Sequence, residues 1–112
     1  ERLLAQARVW GTRRVVVQSF AGRDVTELRR LASLLTATPG VVALLGTGGE
    51  LARVVFARSS DAGADMAGLV SQTCQEFEGK GGGQADLAQG GGFPGQRLAE
   101  ALERAFHSLT EH

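Results

Sequence analysis

Lys80 and Arg97 are the cations set in and just after a stretch of nearly bare backbone, Gly79 to Gly95, which reads GKGGGQADLAQGGGFPG. Eight of the protein's sixteen glycines lie in these seventeen residues. Glycine loses more conformational entropy on folding than any other residue, so a fold concentrates it only for a reason. The reasons are backbone at φ > 0 or a backbone that something must approach closely. A run of N–H groups with no side chains in front of them suits oxygen-rich anions, phosphate above all. A flexible Gly/Ser linker has similar composition. Here Gln84, Asp86, Leu87 and Gln89 interrupt the glycines without repeating. The stretch therefore reads as a ligand-contacting loop or a tight structural connection. In the first reading Lys80 and Arg97 share one anion, helped by the partial positive charge of the helix that starts near Pro94.

Other chemistries fail on their own terms. GGGFPG, Gly90 to Gly95, matches G-x-G-x-x-G, but a dinucleotide site needs a strand before it and a second strand ending in a ribose-binding acid. The residues after Gly95 keep helical spacing instead. Gly79-Lys80 lacks the hydroxyl residue and the earlier glycine of a P-loop. Cys74, His107 and His112 show no metal-ligand spacing. Cys74 falls on an apolar helical stripe and reads as core filler, His107 on a wet face as a surface residue. Ser59, Ser60 and Asp61 read as cap and turn residues. No nucleophile, base or metal set assembles from this chain, and no cofactor is expected in it.

Charge leaves two readings open, a phosphate-binding surface and a merely solvated arginine-rich face. The net charge is zero, but residues 1–60 carry nine arginines against four acids, and residues 61–112 three cations against eight. Eleven of the twelve cations are arginine, whose planar fork pairs with phosphate. Arg13, Arg14, Arg29, Arg30, Arg53 and Arg58 extend any phosphate footprint that the fold brings alongside. The longest apolar runs are far too short to span a bilayer, so no membrane partner is expected. One cysteine excludes an internal disulfide and suits a reducing compartment, the cytoplasm.

The positioning elements follow from periodicity. Leu3, Leu4 and Ala7 give Glu1 to Arg8 the spacing of a helix that Gly11 breaks; residues 1–10 read as the end of a longer, truncated upstream helix, and 11–112 as one globular domain. Arg13 to Phe20, Val41 to Leu45 and Leu51 to Arg58 read as strands. Asp24 and Glu27 make a capping box ahead of a helix over 24–37, ended by Pro39-Gly40. Gly46 to Gly49 reads as a hairpin turn. Met66, Leu69, Val70, Thr73, Cys74 and Phe77 form one stripe on a helix over 62–78. Leu98, Ala101, Leu102, Ala105, Phe106 and Leu109 form another over 95–110, with Glu100 and Arg104 paired on its wet side. The helix between the first two strands makes them parallel, and the next two form an antiparallel hairpin. The expected fold is α/β, a small mixed sheet of three to four strands covered by helices, with a short fourth strand near Leu87 to Gln89.

At the glycine stretch the sequence resembles a known family. GKGGGQADLAQGGG is similar to the signature near the C-terminus of bacterial alanyl-tRNA synthetases, and LLAQARVWGTRRVVVQ, Leu3 to Gln18, to the junction where that family's helical segment enters its terminal domain. The resemblance covers essentially the whole chain. That terminal domain is of the DHHA1 type, shared with DHH phosphoesterases, which carry His after the glycine triplet where this chain has Gln84. The resemblance implies a non-catalytic RNA-binding domain with a DHHA1-like fold and the glycine-rich loop 79–95. It would hold the outer corner of tRNA-Ala for aminoacylation and editing domains upstream, which carry the ATP, alanine and zinc sites. The residues it sets against RNA are Lys80, Gly81, Gly82, Gly83, Gln84, Gln89, Gly90, Gly91 and Arg97. A basic residue that the family often places near Gln84 is absent. The family's dimer contacts lie partly upstream, so a homodimer belongs to the parent chain. The alternative is a nucleic-acid or nucleotide-binding domain of a DHH-type phosphoesterase.

Overall fold

Two runs of β-branched and aliphatic residues lie side by side in the middle of the sheet. In the computed structural model, which describes residues 6–111, β2 (Arg13–Phe20) and β3 (Val41–Thr47) pair in parallel and α1 (Val25–Thr36) joins them. β4 (Leu51–Arg58) runs back antiparallel to β3. These strands, their pairing senses and the intervening helix are those expected from the sequence. α1 begins on the expected capping box, in which the Asp24 carboxylate accepts from Glu27 N–H and the Glu27 carboxylate from Asp24 N–H.

The sheet has six strands rather than three or four. β1 (Arg8–Trp10), β5 (Lys80–Gly83) and β6 (Leu87–Pro94) complete it in the order β1-β2-β3-β4-β6-β5. β1 pairs with β2 where the periodicity reads as a helix running to Arg8. The rest of that expected helix, residues 1–5, lies outside the described residues. The glycine stretch is no loop. It folds as an antiparallel hairpin, and only Gln84 to Asp86 remain as its turn. The fourth strand expected near Leu87 to Gln89 exists but runs on to Pro94, through both the second glycine triplet and Phe93.

α2 (Met66–Glu76) and α3 (Leu98–Thr110) lie together on one face of the sheet and α1 on the other. Val15, Val42, Leu44, Val54 and Phe56 pack under α2 and α3. Val16, Val41, Ala43, Leu45, Val55 and Ala57 pack under Leu28, Ala32 and Leu35 of α1. Burial on both faces is why these strands read as continuous apolar runs rather than alternating ones. The Met66 to Phe77 stripe is buried as expected, and so are Leu98, Leu102 and Leu109. Phe106 is only half-buried, and the Arg8 guanidinium covers its ring at 4.8 Å. The expected Glu100–Arg104 pair does not form. Arg104 reaches Glu76 on α2 at 2.7 Å, and Glu100 accepts from Arg97 at 3.0 Å. Ser59 and Asp61 do act as turn residues: both accept from Gly40 N–H, at 3.0 Å each, and tie the end of β4 to the start of β3.

A glycine-paved sheet face as candidate nucleic-acid interface

Side chains alternate across a strand, so each glycine of the hairpin belongs to one face or the other. Gly81 and Gly90 are cross-strand partners on the α2 side. A Cβ on Gly90 would stand 2.8 Å from Cys74 Sγ, and one on Gly81 2.4 Å from Val70 Cγ1. These two glycines let α2 lie directly on the sheet, and burial there pushes the Cys74 thiol pKa up. Cys74 is core filler, as its place on the stripe suggests.

Lys80, Gly82, Gln89 and Gly91 occupy the opposite, α1 side of the same strands. α1 packs over β3 and β4, and so leaves this side of β5 and β6 without a covering helix. A Cβ on Gly82 would meet nothing within 4 Å. The result is a shallow, side-chain-poor floor rimmed by cations. Val25, Arg53, Lys80, Gln89 and Gly90 to Gly92 line a hollow of about 250 Å³. Arg29, Gly82, Gly83, Gln84, Gln89 and one carboxylate, Asp86, belong to an adjoining hollow of about 400 Å³. Arg29 donates to Gln89 Oε1 and bridges the two.

Register sets the remaining geometry. Between Leu51 and Arg53 the β4–β6 pairing shifts by one residue, a bulge on β6. Gly91 and Gly92 absorb it at φ 150° and 87°. At the outer edge, Gln84 N–H donates to Leu87 O at 2.9 Å. In an antiparallel ladder hydrogen-bonded pairs alternate, so Gly81 and Gly83 turn their N–H and C=O groups outward. The open backbone donors expected of a loop are thus reduced to alternate residues of an edge strand.

The structure brings Lys80, Gly82, Gly83, Gln84, Gln89, Gly90 and Gly91 to one surface, with Gly81 at its edge. It does not bring Arg97 there. Arg97 is paired with Glu100 and stacks over Phe77 at 4.5 Å, in a groove with Glu76, Glu103 and Arg104 on the α2–α3 face. Of the arginines named as possible extensions, Arg29 and Arg53 reach the site. Arg13 stacks on Trp10 at 4.3 Å, and Arg58 donates to the carbonyls of Ala64, Ser59 and Ser60. Arg14, Arg29, Arg30, Arg53 and Lys80 lie on the α1 side with no carboxylate partner among the described residues, while Arg8, Arg97 and Arg104 are each paired on the other.

Comparison with known proteins gives a consistent result. The profile of the DHHA1 domain family matches residues 12–111. The chain is 32% identical over 113 residues to the alanine–tRNA ligase of Methanosarcina acetivorans, covering 98% of this chain and 12% of that protein. It is 34% identical over 117 residues to the alanine–tRNA ligase of Thermosynechococcus vestitus, covering 99% and 13%. It therefore spans about an eighth of the length of these curated relatives. The crystal structure of the C-Ala domain of Aquifex aeolicus alanyl-tRNA synthetase superposes with a TM-score of 0.83 at 26% identity, over 93% of this chain and 97% of that one.

Proposed function

The chain belongs to the DHHA1 domain family, in the form carried by alanyl-tRNA synthetases, and from that premise we propose that it is the part of such an enzyme that holds tRNA. The observation that supports this reading most is the uncovered floor of β5 and β6. Phosphate affinity needs cations without carboxylate partners, and Arg29, Arg53 and Lys80 rim a surface that a nucleic-acid backbone can approach without steric obstruction. In this reading Gly82 and Gly91 provide the close approach and Gln84 and Gln89 offer amide donors and acceptors. Gly81 and Gly83 present outward backbone N–H groups at the edge. The RNA is tRNA-Ala, gripped at its outer corner, and the ATP, alanine and zinc chemistry belongs to upstream domains of a cytoplasmic parent, whose helical segment supplies part of any dimer contact. No helix among the described residues is long and apolar enough to cross a membrane. The test is titration of the 112-residue chain with tRNA-Ala and with an unrelated RNA hairpin at two salt concentrations. Tighter binding to tRNA-Ala that weakens as salt rises supports the proposal. Equal affinity for both RNAs, or binding indifferent to salt, contradicts it.

A further inference from the structure

One cross-strand row on the α1 side runs Phe20, Thr47, Arg53, Gly91, Lys80 through five strands. Directly paired residues project from the same face. Arg53 and Lys80 therefore leave the sheet side by side about 10 Å apart, two strand spacings, with only the hydrogen of Gly91 between them. A side chain at Gly91 is excluded by the backbone: its Cβ would stand 2.2 Å from Ala52 O. Both cations line the same hollow, with Gly90 to Gly92 as its floor. Neither has a carboxylate partner or a side-chain hydrogen bond among the described residues. Between Phe20 and Arg53 in the row stands Thr47, whose hydroxyl is buried without a hydrogen-bond partner among the described residues.

Two long cations that flank a bare glycine, line one hollow and have no carboxylate partner among the described residues can reach one anion between them. We infer that Arg53 and Lys80 are the two prongs of a clamp that closes on a single backbone phosphate above Gly91. This rests on the reading of the face as an RNA interface and adds to it which residues grip together. Arg53 contributes a planar fork and Lys80 a point charge, so the phosphate oxygens are divided between a directional and an adaptable partner. Because one phosphate needs both prongs for its position, losing either releases it, and losing the second adds little.

The experiment is a double-mutant cycle on the 112-residue chain, with Lys80→Ala, Arg53→Ala and their double variant, and with Arg14→Ala, a cation far across the same face, made alone and together with Lys80→Ala. Affinity for a labelled tRNA-Ala transcript is read over a salt series, with thermal melts to confirm folding. The clamp predicts that each single variant weakens binding about tenfold. The double variant should be no more than about twofold worse than either, and the salt slope should fall by about one unit in all three. Arg14→Ala combined with Lys80→Ala should multiply. If Lys80→Ala and Arg53→Ala multiply and together remove two units of slope, they hold separate phosphates and the clamp is wrong, while the interface stands. If wild type binds but neither variant changes affinity, or if wild type does not bind RNA, both the clamp and the interface fail.

Discussion

Arg29 Nη1 on α1 donates to Gln89 Oε1 on β6 at 3.2 Å, across sixty positions of sequence. With an oxygen lone pair engaged, the Gln89 side chain still has two amide N–H donors to offer. Both residues are exposed, so the bond contributes little to stability. Arg29→Ala or Gln89→Ala should change the free energy of unfolding by less than about 0.5 kcal/mol. Each should nevertheless weaken RNA binding, Arg29→Ala with a loss of salt slope and Gln89→Ala without one. Paired denaturation and binding titrations check this.

Gly82 and Gly90 should respond in opposite ways to one substitution. Gly90→Val forces a side chain into Cys74 Sγ and the Gly81 backbone and should destabilise by about 1–3 kcal/mol. Gly82→Val enters open space on an extended strand and should leave the denaturation midpoint nearly unchanged. The valine then stands on the proposed RNA floor and should lower affinity. Equal loss of stability at both positions would mean that the hairpin is not packed as described.

Arg8 ties β1 to α3 through a two-pronged pair with Glu103 and a stack on Phe106. The two side chains are 40% and 47% exposed, so solvent screens the pair and it should contribute only about 0.2–1 kcal/mol. A double-mutant cycle of Arg8→Met and Glu103→Gln should return a coupling in that range that shrinks in high salt. Coupling that is independent of salt would assign the contact to packing on Phe106.

Acid should loosen the fold at two identified carboxylates. The Ser59 hydroxyl first, and Gly40 N–H next, hold Asp61 below its ordinary value of 3.8. The Arg8 hydrogen bond holds Glu103 below 4.5. A carboxylate depressed in the folded state contributes stability above its unfolded pKa and loses it as pH falls through the folded one. Stability should therefore be level above about pH 5 and fall on acidification through the carboxylate range. Asp61→Asn should lower the plateau and flatten that fall. A melting temperature unchanged by acid in the wild type would contradict this.

The parts of the fold legible in the sequence are those where burial imposes a period. Val15 to Val17, Val41 to Leu45 and the stripes of α2 and α3 must hide apolar surface, and they read correctly. The glycine hairpin did not read as strands because β5 carries no β-branched or aromatic residue. Its pairing comes from backbone bonds and from the closeness of α2 above Gly81 and Gly90, neither of which leaves a period. Lys80, Gln84, Gln89 and the glycines can be named as candidate site residues from composition and the family resemblance, and the structure gathers them on one surface. Arg29 and Arg53 were visible only as members of an arginine-rich half, since their place at the site depends on helix α1 and strand β4 arriving beside β6. Arg97 was misplaced for the converse reason: it is near the glycines in sequence, but the chain crosses to the other face after Pro94.

In the proposed complex RNA lies on the α1 side of the sheet, over β5 and β6. The most direct measurement compares two charge-removed variants of the 112-residue chain in a tRNA-Ala titration over a salt series. Arg29→Ala with Arg53→Ala and Lys80→Ala strips the glycine floor, and Arg97→Ala with Arg104→Ala strips the α2–α3 face. The account predicts that the first loses about a hundredfold in affinity and about two units of salt slope, while the second stays within about twofold of wild type. Undiminished binding by the first variant, or the larger loss in the second, would contradict it.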